Sequence, residues 1–216
     1  MAAVPSDGRE AVEAKQLAQL RELLAAVRPA NAFYEKKLAA AGIDASIGNL
    51  TDFATRCPFT VKDELVADQA AHPPYGTNLT FPLSDYTRIH QTSGTTGQPL
   101  RWLDTPESWQ AMLESWKKVY RAVGTSPADR ALFAFSFGPF IGFWMAFEAA
   151  AQMGCLCFPA GGLTSATRLR ILLENEITIL CCTPTYALRL AEVARQEGID
   201  LGSAKLRTII VAGEPG

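Results

Sequence analysis

The sequence predicts an α/β protein: an N-terminal helical segment, then a β-hairpin around a loop of small residues, then a mostly parallel, doubly wound sheet. Three observations carry this. Leucines recur at helical spacing near the N-terminus. Six consecutive small residues, Thr92 to Gly97, stand between two short runs of extended character. From residue 130 onward, apolar runs of strand length alternate with helix-length segments. Strands that are apolar throughout must be covered on both faces, which a parallel sheet with crossover helices achieves. The chain thus divides into a helical region, 1–80, and an α/β region, 81–216.

Element by element, residues 10–27 place Leu17, Leu20, Leu24 and Val27 on one helical face, and Pro29 is expected to stop that helix. A second short helix is expected over 31–41, closed by Gly42. Within PFTVKDEL, 58–65, Thr60 can cap a helix with Asp63 three residues on. Residues 72–76, HPPYG, read as loop. Strands are expected at 86–91 and 99–103. A helix opened by Asp104-Thr105-Pro106-Glu107 runs to Val123, with Trp109, Met112, Leu113, Trp116 and Val119 as its core stripe. Beyond it the alternation reads strand 130–137, helix 140–153, strand 155–159, helix 164–175, strand 177–182, helix 184–197 and strand 206–212.

Bulk properties exclude several classes of function. The net charge is −2, from 20 basic and 22 acidic residues, so no basic face invites nucleic acid or an anionic membrane. The apolar stretch 131–160 is broken by Gly138-Pro139 and interrupted by Glu148 and Gln152, unlike a spanning helix. The first residues are polar and lack the apolar core of a secretory leader. Five cysteines in apolar surroundings, without a CxxC pair, fit neither a disulfide framework nor a zinc site; they suit a reducing cytoplasm.

The loop 92–97 has chemistry of its own. Consecutive small residues let backbone N–H groups converge on an anion, and the hydroxyls of Ser93, Thr95 and Thr96 add donors. It is not the Walker pattern, because Gly97 is followed by Gln98-Pro99 rather than Lys-Ser/Thr. On residues alone, a phosphate cradle and a solvent-exposed hairpin both remain open.

The run TSGTTGQP resembles the phosphate-binding signature of the adenylate-forming enzymes, the superfamily of acyl- and aryl-CoA synthetases. NAFY at 31–34, CPFTVKDEL at 57–65, RIHQTSGTTGQP at 88–99, TPTYALRLAE at 183–192 and AGEP at 212–215 are similar, in order and spacing, to the phenylacetate-CoA ligase-like branch. The likeness runs from about residue 17 and is expected to cover the first half of a family member. It implies that Ser93, Gly94, Thr95, Thr96 and Gly97 wrap the β- and γ-phosphates of ATP, with the Thr96 hydroxyl near Mg²⁺ and Thr96 the catalytic candidate. It implies that Gly213, Glu214 and Pro215 lie against the adenine. It also implies CoA as the acceptor of the acyl group.

The same likeness sets the segment 135–144, FSFGPFIGFW, at the acid pocket. Phe137, Phe140, Phe143 and Phe147 are candidates for its wall, against the alternative that they simply pack in the core. Tyr186 either borders that pocket or opens a helix. An aromatic wall suits an aromatic or otherwise apolar carboxylic acid. The family commonly has His-Tyr-Gly where this chain has Phe147-Glu148-Ala149, which puts phenylacetate itself in doubt. Arg101 can hold phosphate or sit on a strand surface. The family's later Mg²⁺ ligand, ribose-binding aspartate, hinge and C-terminal lysine are expected beyond residue 216. Three alternatives stay open: a carrier protein or a deazaflavin as acceptor, a non-catalytic half-domain that assembles with a partner, and self-association into a homodimer.

Overall fold

The computed structural model describes residues 6–92 and 98–214. In chain order the elements are α1 (Ser6–Ala30), α2 (Ala32–Ala40), α3 (Leu50–Arg56), α4 (Lys62–Ala71), a single 3-10 turn (Leu83–Asp85), β1 (Arg88–Gln91), β2 (Arg101–Asp104) and α5 (Pro106–Ala122). Then come β3 (Arg130–Phe133), α6 (Trp144–Gln152), β4 (Leu156–Pro159), α7 (Ser165–Glu174), β5 (Ile179–Cys182), α8 (Pro184–Gln196) and β6 (Thr208–Val211). They form two compact units, residues 1–87 with 92–103 and residues 88–91 with 104–216.

The first unit is built on helices. The stripe expected from the leucine spacing is present: Leu24 is buried together with Leu38, Ile43 and Ile47, and Leu17, Leu20 and Val27 pack against them. α1 runs through Pro29 to Ala30 rather than stopping before it. Asn31 then caps α2 by accepting the Tyr34 N–H at 3.0 Å. Gly42 takes φ +62° just past α2, the left-handed turn that ends a helix at glycine. α4 is capped one residue later than Thr60: the Val61 N–H donates to Glu64 Oε2 at 2.9 Å, so Glu64 rather than Asp63 closes the turn. β2 is tied to α4 at Arg101, whose N–H donates to Gln69 Oε1 at 3.0 Å and whose carbonyl accepts from Gln69 Nε2 at 2.7 Å.

The second unit holds a four-stranded parallel sheet in the order β4-β3-β5-β6. Its register sets Ala131 beside Cys157 and Ile179, and Cys181 beside Ile210. β5 is buried at every residue, as its apolar run Ile-Leu-Cys-Cys requires. On one face, α5 and α6 cover Ala131, Phe133, Ile179 and Cys181 with Trp109, Leu113, Tyr120 and Ala146. On the other, α7 and α8 cover Leu132, Leu180 and Cys182 with Leu169, Leu172, Leu190 and Val193. α5 buries Trp109, Leu113 and Tyr120, while Val119, expected in its stripe, is 43% exposed.

Strands shorten and helices start later than the apolar runs suggest around residues 134–143. β3 ends at Phe133 and α6 begins only at Trp144. Gly138 and Pro139 cannot continue either element, and Gly142 takes φ +34°. Their irregular backbone carries the aromatic residues past the end of the sheet.

At the opposite, amino-terminal end of the strands a buried polar group closes the sheet. Arg207 donates to both oxygens of Asp129, at 3.1 Å from Nε and 2.7 Å from Nη2, and also to the carbonyls of Val123 and Gly124. Thr178 Oγ1 and the Ser126 N–H donate to the same carboxylate. Burial alone would push the Asp129 carboxyl up, but donors from Arg207, Thr178 and Ser126 outweigh it and hold it at about 2. Because the folded value is depressed, the stabilisation is present above the ordinary aspartate range and is lost as pH falls toward 2. Urea denaturation between pH 6 and pH 2.5 should show the wild type losing about 2 kcal/mol more than Asp129→Asn over that interval. Equal losses in the two proteins would show that the carboxylate does not hold this end of the sheet.

Candidate active site

In a parallel sheet all strands deliver their carboxyl ends to one edge, where ligands bind in open α/β folds. Here that edge collects Ser136 and Phe137 after β3, Ala160 to Gly162 after β4, Thr183 to Thr185 after β5, and Gly213 and Glu214 after β6. The strand ends are held together past the ladder itself. The Ala134 N–H donates to the Cys181 carbonyl at 2.9 Å, the Ala160 N–H to the Phe133 carbonyl at 3.0 Å, and the Ala212 N–H to the Cys182 carbonyl at 3.3 Å.

A cleft of about 520 Å³ opens at this edge, lined by Ser136, Phe137, Trp144, Phe147, Pro159, Gly161 and Gly162. Its wall is an aromatic lattice. The Phe137 ring meets Trp144 edge-on at 4.7 Å and Phe147 edge-on at 5.4 Å, and Phe147 meets Phe133 at 5.1 Å. The Trp144 indole N–H donates to the Gly138 carbonyl at 3.1 Å, which fixes the ring and spends its donor. Gly161 sits where a side chain would be crowded: a Cβ there would lie 3.1 Å from the Phe135 carbonyl oxygen and 3.3 Å from the Phe137 nitrogen.

Of the aromatic residues singled out in the sequence, Phe137 and Phe147 line the cleft. Phe143 is packed in the core, 5% exposed, against Phe135 and Trp116. Phe140 is 42% exposed on the irregular segment that precedes α6. Tyr186 lies in the first turn of α8. Its hydroxyl pairs with Ser165 Oγ at 2.9 Å and its ring carries the Arg168 guanidinium at 4.9 Å, among the residues of the α7–α8 face. Trp144 was not singled out in the sequence. Its signal was the helix start, because an origin at Trp144 sets residues 144 and 147 three apart on one helical face.

The turn after β6 is built around Glu214. Its carboxylate accepts from Thr185 Oγ1 at 2.7 Å and from the Thr185 N–H at 3.1 Å, at the N-terminus of α8. Thr183 caps the same helix through the Tyr186 N–H. These Thr185 donors lower the Glu214 pKa. Gly213 takes φ +95°, which strains any other residue.

Ser93, Gly94, Thr95, Thr96, Gly97 and Pro215 lie outside the described residues. The neck of the loop is described: the Thr92 N–H donates to the Leu100 carbonyl at 3.0 Å, and the Leu100 N–H donates to Thr92 Oγ1 at 3.0 Å. The chain is therefore closed at residues 92 and 100. Arg101 donates to the Pro74 carbonyl at 2.8 Å.

The sequence pattern of the AMP-binding enzymes matches residues 15–216. The chain belongs to the AMP-binding enzyme family. As a member of that family it is 28% identical to a phenylacetate-coenzyme A ligase of Thermus thermophilus over 96% of its own length and 45% of the relative's. It is 27% identical to one of Pseudomonas putida over 95% of its own length and 46% of the relative's. A solved structure of 2-hydroxyisobutyryl-CoA ligase with 2-HIB-AMP and CoA superposes with a TM-score of 0.90 at 30% identity, over 100% of this chain and 48% of the other. The chain thus spans about half the length of the relatives it matches.

Within this AMP-binding family member, no group of three His, Cys, Asp or Glu side chains among the described residues could hold a metal ion. None of its described helices is long and apolar enough to cross a membrane. All five cysteines are free thiols. Burial pushes the thiols of Cys157 and Cys181 up to about 12, so neither supplies a thiolate near neutral pH.

The different settings of the phenylalanines predict different costs of truncation. Phe143→Ala should lower unfolding stability by about 3–5 kcal/mol, as for a buried ring, whereas Phe140→Ala should change it by less than about 0.5 kcal/mol. Denaturant titration of the two variants checks this. Similar losses would place both rings in one environment.

Proposed function

We propose that this chain carries the nucleotide- and acid-binding part of an acid-activating enzyme. In that reaction a carboxylate oxygen attacks the α-phosphorus of ATP, a carboxyl–phosphate bond forms, and pyrophosphate leaves with its bonding electron pair. The product is an acyl-adenylate, from which a thiol such as that of CoA displaces AMP. The observation that carries the reading is the aromatic cleft at the carboxyl edge of a parallel sheet, in a chain of the AMP-binding family.

In this reading Ser93, Gly94, Thr95, Thr96 and Gly97 hold the β- and γ-phosphates, with the Thr96 hydroxyl toward Mg²⁺, which supplies charge neutralisation when bound. Gly213, Glu214 and Pro215 lie against the adenine. The Glu214 carboxylate, held by Thr185, keeps that turn in one place. Adenylation asks the protein mainly to position two anions and offset their repulsion, which rigid backbone donors and a fixed cleft do.

The cleft's lining speaks for the class of acid. Phe137, Trp144 and Phe147 offer apolar ring surface, and the Trp144 donor is already satisfied. Such a wall favours an aromatic or otherwise apolar acid, whose surface the rings remove from water. Unpaired thiols and a net charge of −2 support a cytosolic enzyme acting on small molecules.

The test is acid-dependent exchange of pyrophosphate into ATP, using protein made from the full reading frame and a panel of aryl and aliphatic acids. Aryl acids should support the fastest exchange, and Thr96→Ala should slow it by about 100-fold, as for loss of a donor to developing phosphate charge. Absence of exchange with every acid would contradict the reading.

A further inference from the structure

β1 leads in sequence to residues 93–97, and two contacts tie it to the segments that carry the rings of the cleft. At its far end, the Gln91 N–H donates to the Pro139 carbonyl at 2.8 Å. At its near end, the Arg88 guanidinium reaches Glu148 of α6, Nη2 to Oε2, at 2.8 Å. The same Glu148 oxygen accepts the Trp109 indole N–H at 2.8 Å. The Arg88 guanidinium also lies 4.5 Å over the Trp109 ring. His90 is two residues along β1 on the same face, stacked on that indole at 5.1 Å and 16°. Burial lowers the His90 pKa, opposed by Asp104, whose carboxylate lies 3.8 Å away, so the ring is neutral near pH 7. Arg88 is then the positive charge that Glu148 faces.

Glu148 follows Phe147, which lines the cleft. One short helix therefore presents a ring to the cleft and a carboxylate to the strand. The two anchors sit at the two ends of a four-residue strand, so β1 cannot slide against the cleft wall without breaking one of them.

We propose that Glu148 is a positioning residue: by gripping Arg88 and the Trp109 indole it fixes β1, the strand that leads in sequence to the phosphate-loop candidates 93–97, beside the segments that carry the rings of the acid cleft. The part of this that concerns phosphate rests on the adenylation reading. The part that concerns β1 does not.

Two variants separate positioning from plain stability. Glu148→Ala removes both contacts, while Glu148→Gln keeps an oxygen for the indole and for one guanidinium N–H. Hydrogen exchange of the ligand-free protein should show the Gln91 amide exchanging about tenfold faster in Glu148→Ala and near the wild-type rate in Glu148→Gln. In pyrophosphate exchange, Glu148→Ala should raise the KM for ATP about fivefold and change the KM for the acid less than about twofold, because Phe137, Trp144 and Phe147 hold one another. Unchanged Gln91 exchange in Glu148→Ala would overturn the clamp. A lowered Tm with both KM values unmoved would reduce Glu148 to a structural residue. If the wild type catalyses no exchange at all, the adenylation reading falls, and the Gln91 amide alone decides whether Glu148 holds β1.

Discussion

Burial of β5 on both faces, and its pairing along both edges, is the constraint that sets the geometry of the second unit. Ile179 to Cys182 are enclosed between β3 and β6 and covered above and below, so sliding this strand would expose apolar surface and break two ladders at once. The residues just past the strand inherit its position. Thr183 and Thr185 open α8, and Thr185 holds Glu214, which arrives from the neighbouring strand. The turn at the end of β6 is thus referred back to the most fully buried strand in the sheet. At the opposite edge Arg207 and Asp129 hold the strands' beginnings, so the two ends are secured by different chemistry: a buried carboxylate paired with a partly exposed guanidinium below, helix-capping donors above.

The two faces of the sheet are packed with different materials, and this explains where the cleft lies. The α7–α8 face is largely aliphatic, with Leu169, Leu172, Leu190 and Val193 packed over β5 and Tyr186 and Phe158 beside them. The α5–α6 face is aromatic. Its rings meet edge-on at 4.7 to 5.4 Å. The cleft lies where that aromatic layer runs past the strand ends. Gly161 lines it, and a side chain there would press on backbone atoms of Phe135 and Phe137.

Much of this was legible in the residues. The continuous apolar runs, alternating with helix-length segments, pointed to the parallel sheet because crossover helices bury such strands on both faces. Helix α5 was legible from Thr105-Pro106, a cap and a preset first turn. Less legible was the region 134–143, where an apolar run hides a strand end, an irregular segment and a late helix start. Hydrophobicity is the same in all three, and only Gly138, Pro139 and Gly142 mark the change. Trp144 stayed unnoticed for that reason, since its place in the cleft depends on where α6 begins. α3 was missed because its cap, Asn49, precedes a helix of only 7 residues with none of them buried. The Arg88–Glu148 contact joins residues 60 positions apart, and nothing local announces it. Residues 93–97, the part of the candidate site most conspicuous in the sequence, lie outside the residues that the structure describes.

The central claim is that one edge of the sheet, from the cleft to the Gly213–Glu214 turn, is where the nucleotide and the acid meet. An amide-resolved NMR titration of this 216-residue chain with AMP, followed by an aryl acid, tests it most directly. The account predicts that AMP shifts the amides of Thr183, Thr185, Gly213 and Glu214, and that the acid shifts those of Phe137, Trp144 and Gly161. Shifts confined to the amino-terminal edge around Asp129 and Arg207, or no shifts with either ligand, would contradict it.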